Sequence, residues 1–189
     1  MEVVTSILLG VCLSAACGFR VFVPLLVMSI AAVAGMFTPA EELAWIATWP
    51  ALIAFGVATV AEILAYYVPW ADNVLDSIAT PAALVAGAIA SASVLGDFSP
   101  LLQWTLAIVA GAGTAGAVQA GTVLVRGVST ATTGGVGNAA VSTGENVASM
   151  ATAVLAFVVP VITFVLVVTG VVIAWRFVRR YRRRKLATR

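Results

Sequence analysis

Five stretches of this chain are almost wholly apolar, and each is long enough to cross a lipid bilayer. They run Val3–Phe37, Leu43–Val68, Ser77–Gly96, Pro100–Val125 and Val147–Trp175. A helix needs about 20 apolar residues to span the hydrocarbon core of a membrane. The first and fifth stretches exceed that length and contain Pro24 and Pro160, so tilt, a kink or division into half-helices is expected there. The predicted fold class is all-α: a polytopic membrane helix bundle of about five spans, with broken or re-entrant helices.

Composition enters as a test of that reading. Of 189 residues, 62% are hydrophobic and 10% charged, with a mean hydropathy of +1.10. Soluble domains carry about 25% charged residues. A fold this apolar could not cover its surface with polar groups in water, whereas lipid makes no such demand. The start, Met1-Glu2-Val3-Val4, lacks the basic region of a removable signal peptide, so the first stretch is expected to stay as a span. Cys12 and Cys17 are five apart and share no helical face, and there is no His, so neither a metal site nor a cofactor is expected.

Charge is unevenly placed. Eight of the ten basic residues fall between Arg176 and Arg189. A run such as Arg176, Arg179, Arg180, Arg182, Arg183, Arg184 and Lys185 can mark nucleic-acid binding. Directly after an apolar span, the better reading is a cytoplasmic anchor against anionic lipid headgroups. The chain is then a single membrane domain, residues 1–175, followed by a basic cytoplasmic tail, residues 176–189. A cell (inner or plasma) membrane location with several crossings is expected, and no nucleic-acid partner. Five spans and an inside C-terminus put the N-terminus outside; a hairpin or re-entrant half in the first or fifth stretch would move it inside.

Gly127–Asn138 is uncharged and rich in Gly, Ser and Thr. Two readings stand for it: a free extramembrane connection, or irregular backbone lining a cavity at membrane depth. Gly and Ala are dense at Ala82, Ala83, Ala86, Gly87 and Ala90, and again at Gly111, Gly113, Gly116 and Ala120. Small residues at these spacings let helix backbones approach closely, which places the third and fourth spans centrally.

Charges within apolar stretches are the informative residues, because each costs several kcal/mol unless paired or hydrated. Arg20 and Glu62 fall in the first and second stretches and can reach similar depth. A salt bridge between them and a solute or ion site are equally compatible with that placement. Asp72-Asn73-Val74 precedes the third stretch and Glu145-Asn146-Val147 the fifth, and Ser142-Thr143-Gly144-Glu145 has the pattern of a capping box. Helix capping explains these acids without any function. With the second span excised, Arg20…Asp72 and Arg126…Glu145 have matching spacing, so the chain reads as two related halves, 1–98 and 99–175. Internal repeats of this kind occur in transporters whose sites form where broken helices meet.

Gly18-Phe19-Arg20-Val21-Phe22-Val23-Pro24-Leu25, Pro69-Trp70-Ala71-Asp72-Asn73-Val74-Leu75-Asp76, and Arg126 with Asn138, Ser142 and Glu145 resemble the bacterial membrane-protein family catalogued as domain of unknown function 4126. The likeness covers about Ser14 to Pro160. It implies a Gly-x-Arg-x-Phe-x-Pro-like element that opens the first helix, a Pro-x-x-Asp-x-x-x-Asp element after the second and a Ser-x-x-Glu-Asp element that starts the last. Asn146 replaces the second acid of that last element, and Tyr66-Tyr67 stand where a charged pair often precedes the proline, so a full acidic cluster is not carried over. The resemblance implies no known activity.

Two functions follow. The first is a small solute or ion transporter or channel, with candidate residues Arg20, Glu62, Asp72, Asn73, Asp76, Arg126, Asn138, Glu145 and Asn146. The arginines could hold an anion with helix N-termini at Asn73 and Asn146, or the acids could pass cations or protons. A chain this short would be expected to work as a homo-oligomer. The second is a non-transporting scaffold, assembly or lipid-binding protein. An enzyme is not expected: Gly-x-Ser-x-Gly, His-Glu-x-x-His and Walker motifs are missing, and Asp72 and Asp76, four apart, read better as caps than as a proton-sharing pair. A cavity at the buried charges would favour transport; a closed ion-pair network would favour a structural role.

Overall fold

The computed structural model describes the backbone of residues 2–187; the side chains of 2, 69–74, 76, 174–175, 177–178 and 180–187 lie outside the described residues. The described residues form helices joined by short connections, with no strand. In order they are α1 (Glu2–Phe19), α2 (Phe22–Val33), a 3-10 turn (Glu41–Ala47), α3 (Trp49–Ala65), α4 (Pro69–Ser93), α5 (Pro100–Leu106), a π-helical stretch (Ala107–Ala112), α6 (Gly113–Thr133), α7 (Asn138–Val158) and α8 (Pro160–Ala187).

Prolines set most of the boundaries. Pro24 has no N–H to give the carbonyl of Arg20, and its ring crowds that carbonyl, so the first apolar stretch breaks after Phe19 and resumes at Phe22. Pro160 likewise opens α8, and the fifth stretch divides at Val159. Val68, preceding Pro69, is extended and starts α4. Of tilt, kink and division, division is what occurs at Pro24 and Pro160.

Helix ends fall outside the apolar limits in three places. Helix α4 begins at Pro69 and not at Ser77, so Asp72, Asn73 and Asp76 lie inside its first turns. Helix α7 begins at Asn138, so Ser142 and Glu145 are interior residues and not a capping box. No helix N-terminus exists at Asn73 or Asn146 to offer amides to a ligand. Asp72 falls three residues into α4 and Glu145 seven into α7, so the two acid-Asn-Val segments are not in equivalent positions.

Gly127–Asn138 is neither a long loop nor irregular backbone. Helix α6 continues through it to Thr133, and only residues 134–137 turn, with Gly134 and Gly135 at φ +64° and +93°. Gly at these positions closes the helix in the left-handed region that side chains avoid. The hydroxyls of Thr132 and Thr133 donate to the carbonyls of Val128 and Ser129 at 2.9 and 2.7 Å, so these polar residues are satisfied along the helix itself.

Two helical segments, Pro100–Thr133 and Asn138–Val158, are each long and apolar enough to cross a membrane. A third is added if the 3-10 turn and α3, bent by 67°, count as one. The exterior is apolar: Leu101, Val109, Val57 and Leu166 are 82%, 72%, 66% and 59% exposed. The interior, an apolar core that includes Leu13, Met28 and Ile46, also encloses Arg20, Arg126, Glu62, Glu145, Gln103 and Ser14. A greasy outside around buried charges is the arrangement that lipid favours and water penalises.

Helix α1 runs through the centre, against α4, α6, α7 and α8. Close approach depends on the small residues. A Cβ on Gly87 would meet Ala115 Cβ at 2.6 Å, and one on Gly111 would meet Ser91 Cβ at 2.7 Å. The hydroxyl of Ser14 donates to Gly87 O at 2.7 Å across the same seam. Gly87 and Gly111 therefore have the packing role their spacing predicts, while Gly113 faces open space.

Candidate functional site

The break after α1 leaves the amides at the start of α2 without helical carbonyl partners, inside the bundle. Glu62 of α3 supplies the acceptors. Its Oε1 accepts from Val21 N at 2.8 Å and its Oε2 from Phe22 N at 3.0 Å. A carboxylate here satisfies two orphan donors and complements the positive end of the helix. Of the two readings open for Arg20 and Glu62, the salt bridge between them is not the arrangement found: Glu62 caps α2, and Arg20 pairs with Glu145. Replacing Glu62 by Gln turns one charged acceptor into an N–H donor facing an amide. It is expected to cost about 1.5–3 kcal/mol, read as a lowered unfolding midpoint in mixed micelles.

Arg20 leaves the broken turn and reaches α7. Its Nη1 lies 3.1 Å from Glu145 Oε2, its Nε donates to Asn146 Oδ1 at 2.5 Å, and its Nη2 donates to Ser142 O at 3.2 Å. Arg126 of α6 approaches the same carboxylate as a fork. Its Nε donates to Glu145 Oε1 at 3.1 Å and its Nη2 to Glu145 Oε2. The bidentate geometry is what a guanidinium and a carboxylate form best. One acid thus joins two arginines from helical segments far apart in the sequence.

Tyr66 completes the cluster. The guanidinium carbons of Arg20 and Arg126 lie 3.9 and 4.0 Å from the centre of its ring. The electron-rich face attracts both cations, more strongly where water is excluded. Arg20, Arg126, Tyr66, Glu145 and Glu62 are 2%, 3%, 4%, 6% and 7% exposed. The described members of the cluster are buried together.

Helical spacing delivers these groups together. Thr59, Glu62 and Tyr66 share one face of α3; Ser142, Glu145 and Ser149 share one face of α7; Gln119, Thr122 and Arg126 share one face of α6. Ser149 fastens α7 to α1 through Ala16 O at 3.0 Å. Two hydroxyls on these faces, Thr59 Oγ1 and Ser142 Oγ, are fully enclosed and have no hydrogen-bond partner.

Of the sequence candidates, Arg20, Arg126, Glu145 and Asn146 converge, and Glu62 lies next to them at the start of α2. Asn138 does not join them: it opens α7, and its Nδ2 donates to Thr130 Oγ1 at 3.0 Å within the α6–α7 turn. The side chains of Asp72, Asn73 and Asp76 lie outside the described residues. In the tail, Arg176 and Arg179 are exposed, whereas Arg180, Arg182, Arg183, Arg184 and Lys185 fall outside the description. Tyr66 and Ser142 were not among the candidates. Tyr66 follows Glu62 by four residues, and Ser142 precedes Glu145 by three, so each shares a helical face with a buried acid; that spacing was the available signal.

Among the described residues no three Cys, Asp or Glu side chains gather as a metal site. The cluster holds the Glu145 carboxylate between two guanidiniums, with both of its oxygens partnered. No curated protein and no solved structure matches the chain. One family, described as domain of unknown function 4126, matches residues 7–180, which takes in every residue of the cluster, and the chain belongs to it.

Proposed function

We propose that this protein crosses the membrane several times and moves a small solute or ion, with the Arg20–Arg126–Glu145 cluster as its site. Residues 1–98 contribute Arg20, Glu62 and Tyr66; residues 99–175 contribute Arg126, Ser142 and Glu145. The bundle makes five crossings in this reading, as helices or pairs of half-helices, and works as a homo-oligomer. The basic tail lies in the cytoplasm, with Arg176 and Arg179 at the anionic headgroups.

One observation carries the reading. Ser142 Oγ has no partner although it is on the turn that Arg20 grips. A network kept only for structure satisfies its buried polar groups, because each unpaired one costs about 1–3 kcal/mol. Charged residues buried at membrane depth are rare, and they commonly mark solute or ion pathways.

A second reading, a non-transporting scaffold or lipid-binding protein, is favoured by the closure of the network: both oxygens of Glu145 and both of Glu62 already have partners. Transport accommodates that closure only as an occluded resting state. Proteoliposomes separate the two. Arg20→Lys and Glu145→Gln variants that reconstitute and assemble like the native protein are expected to lose flux of acetate, phosphate, potassium or protons by at least about tenfold, the scale of one lost charge-assisted hydrogen bond. Native-level flux in both variants, or none in the native protein, with lipid binding altered in the variants, would decide for the scaffold.

A further inference from the structure

We infer that α1 and α2 form a re-entrant hairpin, which enters and leaves the membrane on the face from which the basic tail emerges, so that the N-terminus lies on the side of that tail. This inference rests on the membrane reading above, of whose five crossings it removes the first, and it leaves the site and the transport role as they stand.

Contacts with α4 set the level of each end of the hairpin. A Cβ on Gly10 would meet Ser91 Oγ at 2.9 Å, and Ser14 Oγ donates to Gly87 O at 2.7 Å, so α1 descends as α4 rises toward Ser93. By Gly18 the helix has reached Ala115 of α6, and Arg20 meets Glu145. The chain then turns back. Phe22 N donates to Glu62 Oε2 at 3.0 Å, and two turns further on Ser29 Oγ donates to Ile46 O at 2.7 Å, so α2 climbs antiparallel to α3. Beyond α2, Ala40 N donates to Ser93 O at 2.9 Å. Residues 10 and 40 thus stand at the same end of α4, and Arg20 and Val21 are the far point of the path between them.

The lengths agree. From Gly10 to Phe19 a helix rises about 14 Å, and the 12 residues of α2 rise about 18 Å. The hydrocarbon core is about 30 Å thick, so the hairpin reaches roughly halfway. Non-helical backbone is tolerated at that depth only where protein encloses it and its polar groups are met. Arg20 and Val21 are both buried, and Glu62 takes the amides of Val21 and Phe22.

The last helix starts at the same end. The ring of Phe157, near the close of α7, lies 5.3 Å from that of Phe37, which follows α2, and Cys12 Sγ donates to Pro160 O at 3.8 Å. The apolar part of α8, Pro160–Ile173, is about 21 Å long, too short to cross back. The tail therefore leaves on the face where α2 ends. Crossing is left to α3, α4, the α5–α6 segment and α7, an even number that keeps both termini on one side. With the tail in the cytoplasm, the N-terminus is there too.

Protease-cleavable tags ahead of Met1 and behind Arg189 test this in sealed membrane vesicles prepared in both orientations. Both tags are expected to be cut in inside-out vesicles and protected in right-side-out ones, with detergent exposing both. Met36→Cys, in the exposed connection after α2, is expected to take a membrane-impermeant maleimide from the side of the tags. Val136→Cys, in the α6–α7 turn, is expected to take it from the other side. Cys12 and Cys17 are fully buried, so the native protein sets the background.

Tags cut in opposite preparations overturn the hairpin and restore five crossings. Met36→Cys that does not label from the side of the tags, or Val136→Cys that does, overturns the hairpin as well. Both tags cut only in right-side-out vesicles, with Met36→Cys labelled from that same side, upholds the hairpin and overturns the cytoplasmic tail. Both tags on one side with Met36→Cys, and no flux in proteoliposomes, upholds the hairpin and overturns transport.

Discussion

Replacing Glu145 by Ala is expected to destabilise the protein by about 3–5 kcal/mol, because it strips two buried guanidiniums of the carboxylate they share. The measurement is the unfolding midpoint in mixed micelles. The informative comparison is a triple variant, Arg20→Met with Arg126→Met and Glu145→Met, which removes every charge of the shared ion pair and fills the space with apolar side chains. Desolvating charges costs several kcal/mol, so a well-packed apolar replacement is expected to be at least as stable as the native cluster. Its flux is expected to be nil. A triple variant as unstable as Glu145→Ala would mean that the ion pairs hold the bundle together, and the case for their functional retention would fall. Restored stability without flux separates the two roles cleanly.

Gly18→Ala is the second large effect expected. A Cβ there would lie 2.5 Å from the backbone oxygen of Ala115 and 2.6 Å from Val118 Cβ, so neither neighbour can swing away as a flexible side-chain end would. Helix α1 must move off α6, at a cost of about 1–3 kcal/mol, and Arg20, two residues along, is drawn away from Glu145. Gly121→Ala on α6 is the control, with nothing within 4 Å of its new methyl. It should be neutral or gain up to about 1 kcal/mol from helix propensity. Equal midpoints for the two variants would show that α1 and α6 do not pack through Gly18.

The charged members of the cluster were legible in the sequence because charge is so scarce there: Arg20, Glu62, Arg126 and Glu145 stand out in apolar surroundings. Their pairing was not. Glu62 looks like the natural counter-ion of Arg20 until Pro24 is seen to break the helix at that arginine and expose two amides that claim the carboxylate. The helix limits at Pro69, Thr133 and Asn138 were missed because apolarity marks where lipid begins, whereas helices continue as long as backbone bonds are satisfied. Thr132 and Thr133 keep α6 going by bonding back to its own carbonyls. Tyr66 stayed hidden because an uncharged aromatic residue does not stand out in an apolar stretch, and it was read only as replacing a charged pair that the family resemblance implies. Only its position four residues after Glu62 distinguished it.

The joining of Arg20 to Asn146 and its neighbours, 126 residues further on, bears on how the protein is made. At ribosomal speeds of about 5–20 residues per second, roughly 6–25 s separate the synthesis of these two residues. Through that interval Arg20 has yet to meet the carboxylate it pairs with. Glu62 and Tyr66 are synthesised in the meantime, and they are the groups that cap the break and offer the arginine an aromatic face. The order of the chain thus makes the capping acid and the aromatic face before the carboxylate that pairs with the arginine, and α8 is still to follow.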